Sequence, residues 1–431
     1  MKLVKMSLLA ATLIASSAFA IDNVKVSGDA KLFYSTNDGL AAVGGAADAD
    51  AALFRQENSA GQAGFSVGVT ADLTEGVSAG ITANALTTLG LENNLVSNVW
   101  EGTAVQGGVV SGLKDQFWIS NAWIAGTYGK TTGKIGRMEL DTPLVFSETW
   151  SMYANTFEAA VLINQDLPGT TLVGAYVGGS NGSEGDATGN GGTNASFAGV
   201  LAGGQDTSNS PFHSFYQGAY AVGAINNSWE PLTVQAWYFQ AQHLLNAYWL
   251  QADLNIIGID FGAQYTGLSE TAQLSDNSGS AFAVKAGYEM KDMFAVSVAF
   301  SQTGDDNTLL NVGANLAATG QSKLYTEAWW NYGYITRNDT AAFNVTASTA
   351  EALTYVGLAA YITSSTSADG IALGTDAEML EVTLEASKSF GPLDASLLYI
   401  LTDANDQNLK DANPDSGQSY NTVQAYLTYN F

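Results

Sequence analysis

Apolar and polar residues alternate with a period of two in segment after segment of this chain. In VKVSGDAKLFY, Val24, Val26, Ala30, Leu32 and Tyr34 fall on one face, and Lys25, Ser27, Asp29 and Lys31 on the other. That is the repeat of a β-strand, whose successive side chains point to opposite sides. GFSVGVTADLTEGVSAGITANA shows the pattern twice around a tight DLTEG turn. Further hairpins turn at Asp166–Gly169, Asn226–Pro231, Glu289–Asp292 and Ser389–Pro392. The final segment, NTVQAYLTYNF, alternates to the terminal Phe431.

Short turns alternate with long polar segments, at about 35–60, 87–115, 141–155, 179–213, 268–280, 303–322, 363–377 and 403–418. Two places break the rule: Gln240–Leu244 is short where a long loop is due, and 335–352 is long where a turn is due. Alternating strands with long loops at one end and short turns at the other predict an all-β transmembrane antiparallel β-barrel. The count is about eighteen strands, or sixteen under narrower boundaries. An even count puts both termini on the periplasmic side, with long loops extracellular. The last strand then pairs with Val24–Tyr34, which removes the sheet edge. Aromatics fall near strand ends. Trp229, Tyr288, Phe294, Phe390, Tyr429 and Phe431 suit a girdle at the turn side, and Tyr34, Tyr265, Phe300, Tyr325, Tyr361 and Tyr399 one at the loop side.

Composition agrees. Of 431 residues 46% are hydrophobic and only 13% charged, yet after the N-terminus no apolar run is long enough for a membrane helix. MKLVKMSLLAATLIASSAFA has a basic start, a short apolar stretch and an Ala18-Phe19-Ala20 cleavage site, so 1–20 reads as a cleaved secretory signal peptide. Residues 21–431 then form a single barrel domain in the bacterial cell outer membrane. The net charge of −26 argues against nucleic-acid partners and suits an acidic passage that attracts cations, including calcium. Cysteine is absent, which excludes thiolate chemistry and disulfides.

GKTTGKIGRMELDTPLV (Gly129–Val145) resembles the strand-and-loop motif of Campylobacter-type major outer membrane porins, distant relatives of the OprD-like general porins. NTFEAAVLINQDLPGTTLVGAYVGG (Asn155–Gly179) and TEAWWNYGYIT (Thr326–Thr336) are similar to that family too. The resemblance implies a homotrimeric porin giving passive diffusion of ions and small hydrophilic solutes, with cation preference and a bound calcium ion. It implies that the loop from about Asp141 to Asn155 folds inward and narrows the pore. It also implies that Leu427, Tyr429 and Phe431 form the signal read by the barrel assembly machinery.

Pores select by width and by rings of charge. Glu139, Asp141 and Glu148 are the candidate acids of the inward loop, and Lys25, Lys31 and Lys285 the inward bases by strand phase. Arg137 shares the phase of Ile135 and is carried over from the motif as a pore-wall cation. Calcium would need several converging oxygens, for which Asp115, Asp141 and Glu148 are candidates, with no local spacing of a calcium-loop kind. Acids in ADADAA (Ala47–Ala52) and Gly304–Asp306 suit solvation, or bridging to lipopolysaccharide through divalent ions. No serine and acid accompany His213 or His243 in a hydrolase motif, so an enzyme is disfavoured. A substrate-specific outer-membrane channel, and a barrel acting mainly as an adhesin or structural surface protein, are the alternatives.

Overall fold

The computed structural model describes residues 22–39, 52–91, 95–96, 116–148, 152–181, 213–272, 274–304, 308–317, 321–349, 358–364, 377–403 and 419–431. The leader expected at 1–20 lies outside them.

The alternating segments form β1 (Asp22–Asn37), β2 (Ser59–Thr74), β3 (Val77–Thr87), β4 (Gln116–Tyr128), β5 (Thr131–Met138) and β6 (Phe157–Asn164). They continue as β7 (Thr170–Ser180), β8 (His213–Trp229), β9 (Leu232–Ala241), β10 (Leu245–Ile256), β11 (Ile259–Glu270) and β12 (Ser278–Met290). The last are β13 (Phe294–Thr303), β14 (Thr340–Thr349), β15 (Leu358–Ser364), β16 (Ala377–Phe390), β17 (Leu393–Asp403) and β18 (Tyr420–Asn430). Each strand pairs antiparallel with its sequence neighbours in one 18-stranded sheet, and β1 pairs with both β2 and β18. The sheet is a closed barrel, which leaves no free edge.

Closure runs to the terminal residue. Phe431 N–H donates to Gly28 O at 3.0 Å, and Gly28 N–H to Phe431 O at 2.9 Å. A Cβ on Gly28 would meet the backbone oxygen of Ser66 on β2 first and then the Phe431 ring at 2.7 Å, so glycine here allows the close approach of both β2 and the C-terminal aromatic.

Period two sorts the side chains. Val26, Phe65, Ile81, Leu250, Val298 and Leu397 are exposed on the outer surface, while Asp29, Lys31, Asn84, Gln264 and Glu381 face the lumen. An apolar exterior suits lipid, and the closed ladder satisfies the backbone within it.

Numbering the loop-end connections L1 to L9 in chain order, L3 covers 139–156, L5 only 242–244, and L7 runs from 304 to 339. The length of L7 explains the irregular stretch 335–352. The polar segment expected to stop near 322 continues to Asp339, because aromatic TEAWWNYGYIT is inward-folded loop rather than strand. Tyr325 accordingly belongs to the lumen and not to an aromatic girdle: its hydroxyl donates to Asp253 Oδ1 at 2.6 Å.

Candidate functional site

Two loops cross the lumen and meet. L3 leaves β5 at buried Met138 and makes a turn fastened by Thr142, whose Oγ1 donates to Val145 O at 2.6 Å and accepts from Val145 N–H at 3.1 Å. Leu140, Leu144 and Val145 then pack into an apolar cluster with Phe157, Trp237, Leu245 and Trp249 of the wall and Leu316 and Leu324 of L7. The other limb reaches the opposite wall, where Met152 and Tyr153 pack on Phe33, Leu86 and Trp118. Tyr153 Oη donates to Asp29 Oδ1 at 2.9 Å, and Lys31 donates to Met152 O with its ammonium 4.6 Å from the Tyr153 ring.

L7 is moored by wall side chains that address its backbone. Glu270 accepts Leu309 N–H at 2.9 Å and Leu310 N–H at 2.7 Å. Gln264 donates to Lys323 O at 2.8 Å and accepts Tyr325 N–H at 3.1 Å. Glu381 accepts the backbone N–H groups of Trp329, Trp330 and Asn331, plus Asn331 Nδ2 at 2.8 Å and Thr383 Oγ1 at 2.9 Å. A buried carboxylate is tolerated when donors surround it in this way.

The loops join through Asn315, which donates to Phe146 O at 2.8 Å, accepts Phe146 N–H at 3.3 Å and donates to Glu148 Oε1 at 3.1 Å. Leu316 N–H donates to Leu144 O at 2.8 Å. Beside this seam Lys323 of L7 forms an ion pair with Asp141 of L3, its ammonium 4.9 Å from the Phe146 ring. The Asp141 side chain is 89% exposed, so water reaches the seam from the lumen.

The acids predicted for L3 part company here. Asp141 lies on the rim and Glu139 is exposed, acting electrostatically on Lys134. Glu148 is only 1% exposed and serves as a latch, accepting Asn315 Nδ2 and Gln321 N–H. The bases part company too. Lys25 is exposed on the inward phase of β1, Lys31 holds L3, and Lys285 pairs with Asp253 at 3.3 Å beneath Tyr325. Arg137 does not face the lumen. It keeps the outward phase of Ile135, because the pairing of β5 with β4 and β6 runs without a shift through Arg137, and it pairs with Glu158 at 2.9 Å on the outside. Two of the three proposed calcium ligands have other partners. Asp141 is engaged by Lys323, Glu148 accepts N–H donors, and Asp115 lies outside the described residues, among which no three metal-ligating groups converge. Among the rim charges near the seam, each acid has a lysine at hand.

Glu270, Glu381, Gln264 and Asn315 were not foreseen. The first three stand on the inward phase of their strands, and an acid or amide there was the available signal.

Glu327 of L7 is enclosed, with Oε2 accepting Ser322 N–H at 3.0 Å and Oε1 without a partner among the described residues. Burial pushes its carboxyl well above the ordinary value, and the charges of Glu148 and Glu381 push the same way against the Ser322 N–H. A raised folded-state value means stability present at low pH and lost as pH rises through it. L7 should therefore loosen as pH rises above the ordinary carboxylate range. Channel conductance recorded against pH should show the change in the native chain and not in Glu327→Gln; identical profiles would exclude this role.

No family model and no curated protein matches the chain. Solved structures do. Acinetobacter baumannii OccAB1 is 12% identical, with a TM-score of 0.68 over 96% of this chain and 98% of its own. Pseudomonas aeruginosa OccK8 (OprE) is 13% identical, with a TM-score of 0.67 over 96% and 99%. The fold is that of the OprD/Occ porins. The P. aeruginosa OpdK structure, solved with vanillate, matches at 13% identity and a TM-score of 0.64 over 95% and 99%. These OprD/Occ porins come from Pseudomonas and Acinetobacter, so the structures support the wider OprD-like fold and not the Campylobacter branch.

Proposed function

We propose that this chain is an outer-membrane channel for passive diffusion of small hydrophilic solutes and ions, selecting at the seam between L3 and L7. The carrying observation is Asp141, a water-exposed carboxylate inside a closed barrel with an apolar exterior, paired to a lysine of the opposing loop. The barrel holds the aperture; the loops set its width and charge. Because the rim charges are paired, cation preference comes from the longer-range field of the net −26 charge and is mild. Leu427, Tyr429 and Phe431 lie exposed along the outer face at the chain end, where an assembly factor and lipid would meet them.

A substrate-specific channel is the second reading. Paired charges at 253/285 and 141/323, each beside an aromatic ring, suit a small aromatic or zwitterionic solute better than bare ions. The vanillate in OpdK is in keeping with that class.

Purified protein in a planar bilayer under a KCl gradient should give stepwise currents with a small reversal potential favouring K⁺. Folded, heat-modifiable protein that carries no current would overturn the channel reading. Block of that current by a small aromatic carboxylate at millimolar levels would favour the second reading over the first.

A further inference from the structure

We propose that the inward face of β6–β8, on the turn side of L3, is an apolar subsite that suits the channel to zwitterionic solutes carrying a short apolar side chain. The proposal rests on the channel reading and deepens its second form by naming the solute.

A water-filled barrel is expected to be polar inside. In the turn-side half, Thr70, Ser78, Asp253, Lys285, Ser297 and Ser396 stand on the inward phase of their strands. On β6, β7 and β8 the same phase instead reads Val161 and Ile163, then Val173 and Ala175, then Ile225. The ladder draws these into one patch. Val161 is paired with Ala175 and Ile163 with Val173, and Ile225 stands two residues on from Gly223, the partner of Val173.

L3 covers only the head of the patch. One inward step nearer the loop end, Ala159, Val177 and Ala221 are buried in the cluster that receives Leu140 and Val145. Val161, Val173 and Ile225 are half-buried, and Ile163 is 36% exposed. From Val161 to Ile163 the apolar surface thus runs on for about 7 Å beyond the loop. Lipid does not reach an inward face, so whatever covers this surface arrives through the water path.

The charges around the patch say which solute that is. Asp141 sits between Leu140 and Thr142, which line a small cavity together with Ala175, and it pairs with Lys323. Both signs therefore stand at the head of the patch. Lys134 is directly across from Val161, its ammonium 4.3 Å from the Trp123 ring. A bare ion gains nothing from the apolar surface, and a hydrocarbon gains nothing from the charges. A zwitterion with an apolar side chain uses both: its ammonium and carboxylate meet the Asp141–Lys323 pair while its tail covers Val161 and Val173.

Single-channel current in KCl, recorded with added glycine, alanine, valine or leucine, tests this with four probes of one charge pattern. Full burial of a carbon tightens binding about fourfold, and covering it on one side about twofold. Leucine should then half-block the current at a concentration at least about tenfold below that of glycine. Val161→Thr combined with Val173→Thr keeps the branched side-chain shape and should bring the two concentrations within about threefold. Equal block by glycine and leucine, or block by neither, would overturn the subsite. An unchanged leucine preference in the double variant would overturn it too, whatever happens to the conductance, because the patch would then only prop L3. The same recordings keep the two ideas apart: steady KCl current without a leucine preference removes only the subsite, while a folded, silent protein removes the channel.

Discussion

Glu381→Ala should release L7 from the wall and raise single-channel conductance severalfold. The side chain is fully buried on β16 and accepts the backbone N–H groups of Trp329, Trp330 and Asn331. Alanine removes every one of these acceptors. A buried N–H left unmade costs about 1–3 kcal/mol, and about 1.4 kcal/mol shifts an equilibrium tenfold. The loop thus gains more by leaving for water than by staying. The barrel itself should survive, since its ladder does not involve L7, and heat-modifiability on a gel checks that. Glu381→Gln keeps one acceptor oxygen and should fall between. Unchanged conductance in a folded alanine variant would show that L7 is held without Glu381, by Glu270, Gln264 and Asn315 and by the apolar contacts of Leu324 and Ile335.

The second large effect concerns charge. Lys323→Glu should make the channel strongly cation-selective, and Asp141→Asn should move it toward anions. The native pair is neutral as a unit. Lys323→Glu replaces it with two carboxylates on one rim, a change of two charges. Asp141→Asn leaves a lysine unmatched. Charges a few ångströms from a passing ion act with little screening, because the Debye length is about 8 Å in physiological salt. Reversal potentials under a KCl gradient should shift in opposite directions for the two variants. A shift of the same sign, or none, would place the selecting aperture elsewhere.

The barrel was largely readable from the chain, and the loops were not. Strand faces follow from the two-residue period alone, so Lys25–Lys31 on the inward side and Leu427–Phe431 on the outward side need no tertiary information. Loops obey no period. TEAWWNYGYIT is aromatic enough to pass for wall, yet it is lumenal loop whose backbone N–H groups are met by Glu381, fifty residues later. Glu148 looked like a rim acid because nothing near it in sequence reveals Asn315 or Gln321. Arg137 shows the reverse error. Its phase already pointed outward, and the borrowed motif pointed in.

The moorings of L7 share one property with a consequence for how such a channel could diversify. Glu270, Gln264, Glu381 and Asn315 bind main-chain atoms of Leu309, Leu310, Lys323, Tyr325, Trp329 and Phe146 rather than their side chains. Main-chain atoms are the same in every amino acid but proline. Side chains on the rim can therefore be exchanged while the loops stay docked, so new permeability could arise by point substitution without the scaffold having to be rebuilt.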